Sequence, residues 1–483
     1  MNRRILISCL VLVLVVCLVL SVVSILGTGI FVWQSAQSSS DGSIDVSSAP
    51  SLDSPLAATQ ESTTEESPPP PEPSPQSPSG NDEFTIDPGI AAQMELIQRQ
   101  VIQERGLQPN GDFTRVLYSP EQLRQRVVDD FLENYTKEDA QKDSIVLAAF
   151  GLLNPDFDFY TFYVDLLSEQ VAGFYDDETK EMVVVQGEGF SGTERLTYAH
   201  EYTHALQDQN YGIGDGLNYS EEACEEETER CAAIQALLEG DATLSELNWF
   251  MNNATPKDRT DIFAFYDEYE SPVFDSAPPF MAEDFLFPYE EGLAFVQYLY
   301  DHGGWDAVNQ AYVEVPVSTE QILHPERYPD DKPIPVELPD LSGILGDGWE
   351  EYDQGIMGEW YTFLILAYGR DERAQQTVDN ATEAAQGWGG DSYIVFYNPV
   401  DETTLMVFSV LWESKTEAEE FAKVFETYAQ DRFGKAEIEQ PNYSSWLDSQ
   451  DVHTFHIEGA QTTWILAPNS ELAETVWETL QTK

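Results

Sequence analysis

The sequence predicts an α+β fold, in which a mostly helical domain with a small sheet precedes a small C-terminal domain of β-β-α-β-β-α order. Helical patterns broken by short loops fill residues 92–168. Two β-prone runs flank a polar turn in residues 171–185, which is typical of a hairpin. From about Gly387 onward, strand-like and helix-like segments follow one another. Together these patterns indicate helices and sheets in separate parts of the chain.

The composition allows a folded core and argues against nucleic-acid binding. The chain has 483 residues, of which 42% are hydrophobic and 12% aromatic, as in globular proteins. Its 23 basic residues face 87 acidic ones, for a formal charge of −64. Such a surface repels phosphate backbones, so no nucleic-acid partner is expected. It also repels anionic lipid headgroups, so membrane attachment would require an inserted segment.

Residues 1–33 are predicted to be a cytoplasmic stub and a transmembrane signal anchor. The apolar run from Ile5 to Trp33 is long enough to span a bilayer with some tilt. Arg3 and Arg4 precede it and place the short end in the cytoplasm. A cleaved signal peptide is the alternative. This pattern predicts a single-pass protein of the cell membrane, attached through the anchor, with the bulk of the chain extracytoplasmic.

Three further regions follow the predicted anchor. Residues 34–91 are rich in Ser, Pro and Glu and are predicted to be a disordered linker. Residues 92–386 carry the motif described below and are predicted to be a catalytic domain. Residues 387–483 are predicted to form the C-terminal α+β domain, which contains no obvious catalytic cluster.

Local signals define the individual elements. Residues 114–118 are predicted to form a strand, and Ser119 caps a helix that has Pro120 at its first position. Ser191, with Glu194 at capping-box spacing, is predicted to start another helix. Further helices are predicted over residues 231–252, 290–301, 305–313, 358–368 and 416–433 and from residue 470, and strands over residues 392–397, 404–412, 452–457 and 462–467.

Cys224 and Cys231 are predicted to form a disulfide, given the extracytoplasmic placement. Seven residues of continuous helix rise about 10.5 Å. A disulfide needs Cα atoms within about 7 Å of each other. The bonded segment must therefore bend, as a loop that enters the next helix.

The segment His200-Glu201-Tyr202-Thr203-His204 carries an HExxH motif. Histidines at i and i+4 lie on one helical face, so both imidazoles can bind one metal ion. Glu201 lies beside them, where it can take a proton from a water whose pKa is lowered by zinc. The chain has only six histidines, which makes the match informative. Two surface histidines on an ordinary helix are the alternative.

A catalytic zinc site needs a third protein ligand, and the next histidine after His204 is His302. Glu239 is the better candidate, because a carboxylate in an otherwise apolar helical run is costly unless it is paired or binds a metal. A solvent-facing helix position is the alternative. Asp241 and Asp208 are candidates to orient a histidine.

Residues 200–208, HEYTHALQD, resemble the active-site helix of gluzincins, the thermolysin-like zinc metallopeptidases. The resemblance implies a zincin-like catalytic domain with zinc bound by His200, His204 and Glu239, and with Glu201 as general base. It also implies that the hairpin before the helix supplies an edge strand for an extended substrate. Residues 387–391, GWGGD, are similar to segments of uncharacterised membrane-anchored or secreted bacterial proteins.

Catalysis also needs a donor aimed at the oxyanion, commonly a His or Tyr in such sites. His324 is the first candidate, followed by Tyr289 and Tyr328. A packed or surface histidine is the alternative for His324.

The sequence thus predicts a Zn²⁺-dependent metallopeptidase that hydrolyses a polypeptide substrate by metal-activated water. Two other functions stay open: a zinc hydrolase of a non-peptide amide, and a non-catalytic zincin-like surface scaffold that binds a partner. The intact Glu201 favours an enzyme over the scaffold.

Overall fold

The computed structural model describes residues 86–170, 173–185, 189–449 and 451–482. These residues form a mixed helix-and-sheet fold, which confirms the predicted α+β class. The first part of the fold is mostly helical. Its elements are α1 (Pro88–Arg105), β1 (Thr114–Tyr118), α2 (Pro120–Asn134), α3 (Lys137–Phe150), α4 (Phe159–Gln170), β2 (Gly173–Asp176), β3 (Glu181–Val185), α5 (Gly192–Tyr211), α6 (Glu221–Glu226), α7 (Thr228–Asn252), α8 (Pro256–Glu268), α9 (Pro272–Asp275), α10 (Pro279–Ala311), α11 (Thr319–Leu323) and α12 (Ser342–Leu345).

A three-stranded sheet of order β1-β3-β2 lies before α5 in the chain. Strand β3 pairs in parallel with β1 and antiparallel with β2. The predicted strand at residues 114–118 and the predicted hairpin are therefore confirmed. Strand β2 is left at the edge of this sheet.

The helix that carries the HExxH motif begins as its sequence predicts. Ser191 is its N-cap, and Ser191 and Glu194 form the expected capping box. Helix α7 packs against α5, and α10 packs against α7. The helix predicted over residues 290–301 and most of the one predicted over residues 305–313 are parts of α10, which ends at Ala311 and is interrupted at Gly304, where φ is 63°. This stack places α7 between the motif helix and α10.

The later part of the chain adds seven strands and four helices: β4 (Glu350–Gly355), α13 (Gly358–Ala367), α14 (Val378–Ala385), β5 (Trp388–Asn398), β6 (Thr403–Trp412), α15 (Lys415–Phe433), β7 (Ile438–Gln440), β8 (Tyr443–Asp448), β9 (Asp451–Glu458), β10 (Gln461–Ala467) and α16 (Ser470–Leu480). The seven strands form an antiparallel sheet of order β4-β5-β6-β10-β9-β8-β7. The strands predicted over residues 392–397, 404–412, 452–457 and 462–467 are present as β5, β6, β9 and β10. The helices predicted over residues 416–433 and from residue 470 are present as α15 and α16. Strands β4, β7 and β8 were not predicted; β7 is three exposed residues and β4 is mostly polar, so neither shows an apolar alternation.

The large sheet separates two apolar cores. On one face, Phe150 of α3 makes edge-on ring contacts with Tyr393, Phe408 and Trp464. On the other face, a smaller cluster joins the sheet to Val476 of α16. Strand β4 belongs to this sheet although it precedes Gly387 in the chain. The domain boundary at Gly387 stays a prediction.

The predicted disulfide between Cys224 and Cys231 is present, with Cα atoms 5.5 Å apart. Helix α6 ends at Glu226 and α7 begins at Thr228. Between them Glu227 has φ −127° and ψ 53°, outside the helical region. The chain therefore bends between the two cysteines, as the distance argument requires.

The prediction of a single-pass membrane protein is corrected. Across residues 86–170, 173–185, 189–449 and 451–482, no helix has both the length and the apolar content that a bilayer crossing demands. The apolar run assigned as the anchor lies in residues 1–33, outside the described residues, as does most of the predicted linker. Helix α1 begins at Pro88, within the last residues of that linker. The membrane partner and the cell-membrane localisation are therefore withdrawn.

Candidate metal centre

Helices α5 and α7 bring the three predicted metal ligands together. One ligand atom from each of His200, His204 and Glu239 lies within 4.8 Å of the other two. Oε2 of Glu239 is 3.2 Å from Nε2 of His200 and 3.5 Å from Nε2 of His204. The one-turn spacing of the histidines on α5 puts their ring centroids 4.8 Å apart. Three side chains from two helices thus converge on one point.

Burial decides between the alternatives that the sequence left open. Glu239 is fully buried, and His200 and His204 are each 2% exposed. A surface pair of histidines and a solvent-facing Glu239 are both excluded. A carboxylate held among buried imidazoles has the partners that its burial demands.

The donor set fits a divalent cation. Among the described residues, buried Nε2 of His204, Oε1 of Glu239 and Oε1 of Glu201 have no hydrogen-bond partner. A buried polar atom without a partner costs about 1–3 kcal/mol. A metal ion bound by the two imidazoles and the Glu239 carboxylate would satisfy the first two atoms. Two histidines with one carboxylate are a ligand set that suits zinc.

Charge also favours a cation at this point. Burial by itself would raise the pKa of Glu239, but His204 and His200 outweigh it and hold that pKa at about 2. Burial would lower the pKa of His200, whereas Glu239 and Glu246 raise it to about 10. Without a metal, the carboxylates therefore keep a proton on the imidazole. A bound cation would take the place of that proton.

Two residues that sequence reasoning missed hold the far nitrogens of the imidazoles. Oε2 of Glu246 is 2.9 Å from Nδ1 of His200, and Oε1 of Gln207 is 2.8 Å from Nδ1 of His204. Acceptors of this kind orient metal-binding histidines. Sequence spacing could have indicated both residues. Glu246 lies two helical turns after Glu239 on α7, so the two carboxylates share one face of that helix. Gln207 follows His204 by three positions, on the same face of α5.

The two aspartates predicted to orient a histidine have other direct partners. Asp241 binds Arg105 through both carboxylate oxygens, at 2.5 and 3.0 Å. Asp208 accepts from the hydroxyl of Tyr175 at 2.8 Å and from Nζ of Lys180 at 2.6 Å. Asp208 therefore fastens the β2–β3 hairpin to α5.

The predicted general base, Glu201, is held by the edge strand. Its Oε2 accepts from the backbone N–H of Tyr175 in β2 at 2.9 Å, while Oε1 has no partner among the described residues. Burial raises the pKa of Glu201 to about 7, against the opposing effect of the two histidines. A carboxyl with such a pKa can accept and return a proton near neutrality. The edge strand was expected to offer its backbone groups to a substrate. At Tyr175 the backbone N–H instead donates to the predicted general base.

Of the three oxyanion-stabiliser candidates, the structure brings Tyr289 to the centre. Its ring centroid is 6.4 Å from that of His200, and the side chain is 1% exposed. His324 caps the end of α11, with Nε2 2.9 Å from Oε1 of Glu359. The Tyr328 hydroxyl donates to the carbonyl of Glu314. The catalytic roles of Tyr289 and His324 stay predictions.

Residues 348–477 match a family model described as a domain of unknown function, DUF8575. No curated protein and no solved structure matches the chain. The matched range covers the large sheet from β4 to β10 and most of α16, and it does not include the residues of the metal centre.

Proposed function

We propose that the chain is a zinc-dependent metallopeptidase with a zincin-like catalytic domain of the gluzincin kind. One observation carries the proposal: His200, His204 and Glu239 converge in the interior with Glu201 beside them. Two imidazoles and one carboxylate leave a position open for the reacting group in a tetrahedral site. A non-catalytic metal site has no need of a general base next to its ligands.

In this proposal, His200, His204 and Glu239 hold the ion and the chain's other residues serve the reaction. A zinc ion here would polarise the scissile carbonyl and lower the pKa of the attacking water. Glu201 takes a proton on Oε1, because Oε2 is fixed by the backbone of Tyr175. The same carboxyl then returns that proton to the leaving amine. Tyr289 is the nearest candidate to donate to the developing oxyanion.

A structural metal site in a non-catalytic scaffold is the second candidate. Its support is burial, since His200, Glu201, His204 and Glu239 are at most 2% exposed. A polypeptide can reach these side chains only if the structure around them opens. A structural site is normally closed in this way.

Purified full-length chain and its Glu201→Gln variant distinguish these functions. Metal analysis should find one zinc per chain in both proteins, because Glu201 is not one of the three ligands. Digestion of a peptide library should occur with the wild type and not with the variant. Zinc without cleavage of peptides, tested alongside a panel of small amides, would favour the scaffold or the amide hydrolase. Absence of bound zinc in the wild type would remove the metal centre from consideration.

A further inference from the structure

The side-chain amide of Gln207 can face in only one direction. Its Nε2 donates to the carbonyl oxygen of Leu238 at 2.9 Å and to Oδ2 of Asp241 at 3.2 Å. A carbonyl and a carboxylate only accept hydrogen bonds, so both require the NH₂ group of the amide on their side. Oε1 of Gln207 must then lie on the opposite side. The hydrogen-bond pattern thereby resolves the ambiguity between amide oxygen and nitrogen.

The opposite side of the amide is occupied by His204. Oε1 of Gln207 is 2.8 Å from Nδ1 of His204. An amide oxygen only accepts, so Nδ1 must carry a hydrogen. In the neutral imidazole this leaves the lone pair on Nε2, the nitrogen that lies 3.5 Å from Oε2 of Glu239. The tautomer that can bind a metal at this point is thus selected by Gln207.

Asp241 is itself held by buried groups. Arg105, fully buried, donates to both of its oxygens, and the hydroxyl of Tyr312 donates to Oδ2 at 2.7 Å. The third nitrogen of the Arg105 guanidinium donates to Oδ1 of Asn309, and the guanidinium carbon lies 4.3 Å from the ring centroid of Trp305. Charge-assisted bidentate pairs of this kind have fixed geometry. The aspartate therefore offers the amide a stationary acceptor.

We propose that Gln207 is a positioning residue of the metal centre, which fixes the tautomer and ring orientation of His204, and that Asp241 fixes the direction of the Gln207 amide. The inference rests on the proposed function, since it concerns a metal held by His204. Asp241 then acts on His204 through Gln207 and does not itself bind the imidazole. The two histidines differ in this respect, because His200 has a carboxylate, Glu246, in the same position.

Gln207 could instead have a structural role alone, as a buried amide that donates hydrogen bonds to Leu238 and Asp241 of α7. Its replacement would then lower stability without changing zinc affinity. The matched control is Gln321, which is also buried and donates to the backbone carbonyls of Pro329 and Asp331. Replacing either glutamine by methionine removes buried hydrogen bonds at nearly constant length. Only the change at Gln207 deprives a metal-binding imidazole of its acceptor. Stability should fall in both variants, whereas zinc affinity should fall in one.

The test measures zinc affinity of the full-length chain by competition with a chromophoric chelator. Gln207→Met should raise the zinc Kd about 10–100-fold, the usual effect of losing such an acceptor. Gln207→Asn keeps an amide that is one methylene too short, so it should also raise the Kd, and it carries the test if the methionine variant does not fold. Gln321→Met should leave the Kd unchanged.

A spectroscopic readout separates tautomer control from general loosening. In zinc-loaded protein labelled with ¹⁵N-histidine, six side chains contribute signals. The Nδ1 proton of His204 should lose its downfield, hydrogen-bonded shift in Gln207→Met and keep it in Gln321→Met. Unchanged Kd and unchanged histidine signals in both Gln207 variants would overturn the inference and leave the proposed function standing. A wild-type chain that binds no zinc would overturn both.

Discussion

The backbone N–H of Tyr175 donates to Oε2 of Glu201 across 2.9 Å. This bond makes the orientation of the predicted general base depend on an edge strand as well as on its own helix. The Tyr175 hydroxyl binds Asp208, two turns further along α5. Hairpin and motif helix are therefore joined at both ends of the catalytic segment.

Glu246 is expected to support zinc binding through His200. Glu246→Gln replaces the carboxylate acceptor of Nδ1 by a neutral amide. The amide still accepts a hydrogen bond, but it raises the basicity of the His200 imidazole less than a carboxylate does. Zinc affinity should fall about tenfold, the low end of the range for such contacts. Chelator competition measures the change. Glu229→Gln, a buried change on the same helix whose carboxylate binds Thr319, should not alter the zinc Kd; equal effects of the two variants would contradict the assignment.

Tyr289 and His324 should behave differently when replaced. If Tyr289 donates to the oxyanion, Tyr289→Phe should lower kcat about 100–1,000-fold with zinc content unchanged, as loss of one such donor does elsewhere. His324→Ala should leave kcat unchanged, because His324 binds Glu359 and is not grouped with the metal ligands among the described residues. Steady-state kinetics on a cleavable peptide measure both. The reverse ranking would assign the oxyanion role to His324.

Gly240 should be required for the position of Glu239. A Cβ at residue 240 would lie 2.1 Å from the carbonyl oxygen of Gly292, where α7 and α10 approach backbone to backbone. Gly240→Ala should cost about 1–3 kcal/mol of unfolding free energy through overpacking. It should also weaken zinc binding, because the neighbouring Glu239 moves with the helix. Gly343→Ala, at a helical glycine with open space around it, is the control; equal losses in denaturant unfolding would refute the packing argument.

Glu229 should make the protein less stable as pH rises. Burial, with Asp391 and Glu359 nearby, raises its pKa to about 8, although Thr319 opposes the shift. The folded chain then holds this proton more tightly than the unfolded chain, whose pKa is near 4.5. The stabilising effect is complete below that value and is lost as pH rises through about 8, by up to about 1.4 kcal/mol per pH unit.

Unfolding by denaturant at several pH values between about 5 and 8 measures this loss. Glu229→Gln cannot ionise, so its unfolding free energy should fall less steeply than that of the wild type. Glu121→Gln, at an exposed position in the first turn of α2, should retain the wild-type slope. Parallel profiles for wild type and Glu229→Gln would show that Glu229 does not titrate in this way.

Local sequence was sufficient for the features that depend on neighbours in the chain. The spacing of His200 and His204, the capping box at Ser191, the β2–β3 hairpin and the bend between Cys224 and Cys231 all follow from rules that span a few residues. Glu239 was identified because an ionised group in an apolar helix needs a partner. Each of these predictions needs only residues that are close together in the chain.

Only the tertiary structure decided which distant groups meet. Glu246 meets His200 only because α7 packs against α5, and Tyr289 is brought beside His200 by a third helix. Gln207 is close to His204 on the same helix, but its amide is directed by Leu238 and Asp241 of α7. Strands β4 and β7 join the large sheet through backbone pairing, although their side chains carry little apolar pattern. Periodicity determines which residues share a face of one element. Which faces then meet depends on the packing of the whole core, to which every element contributes.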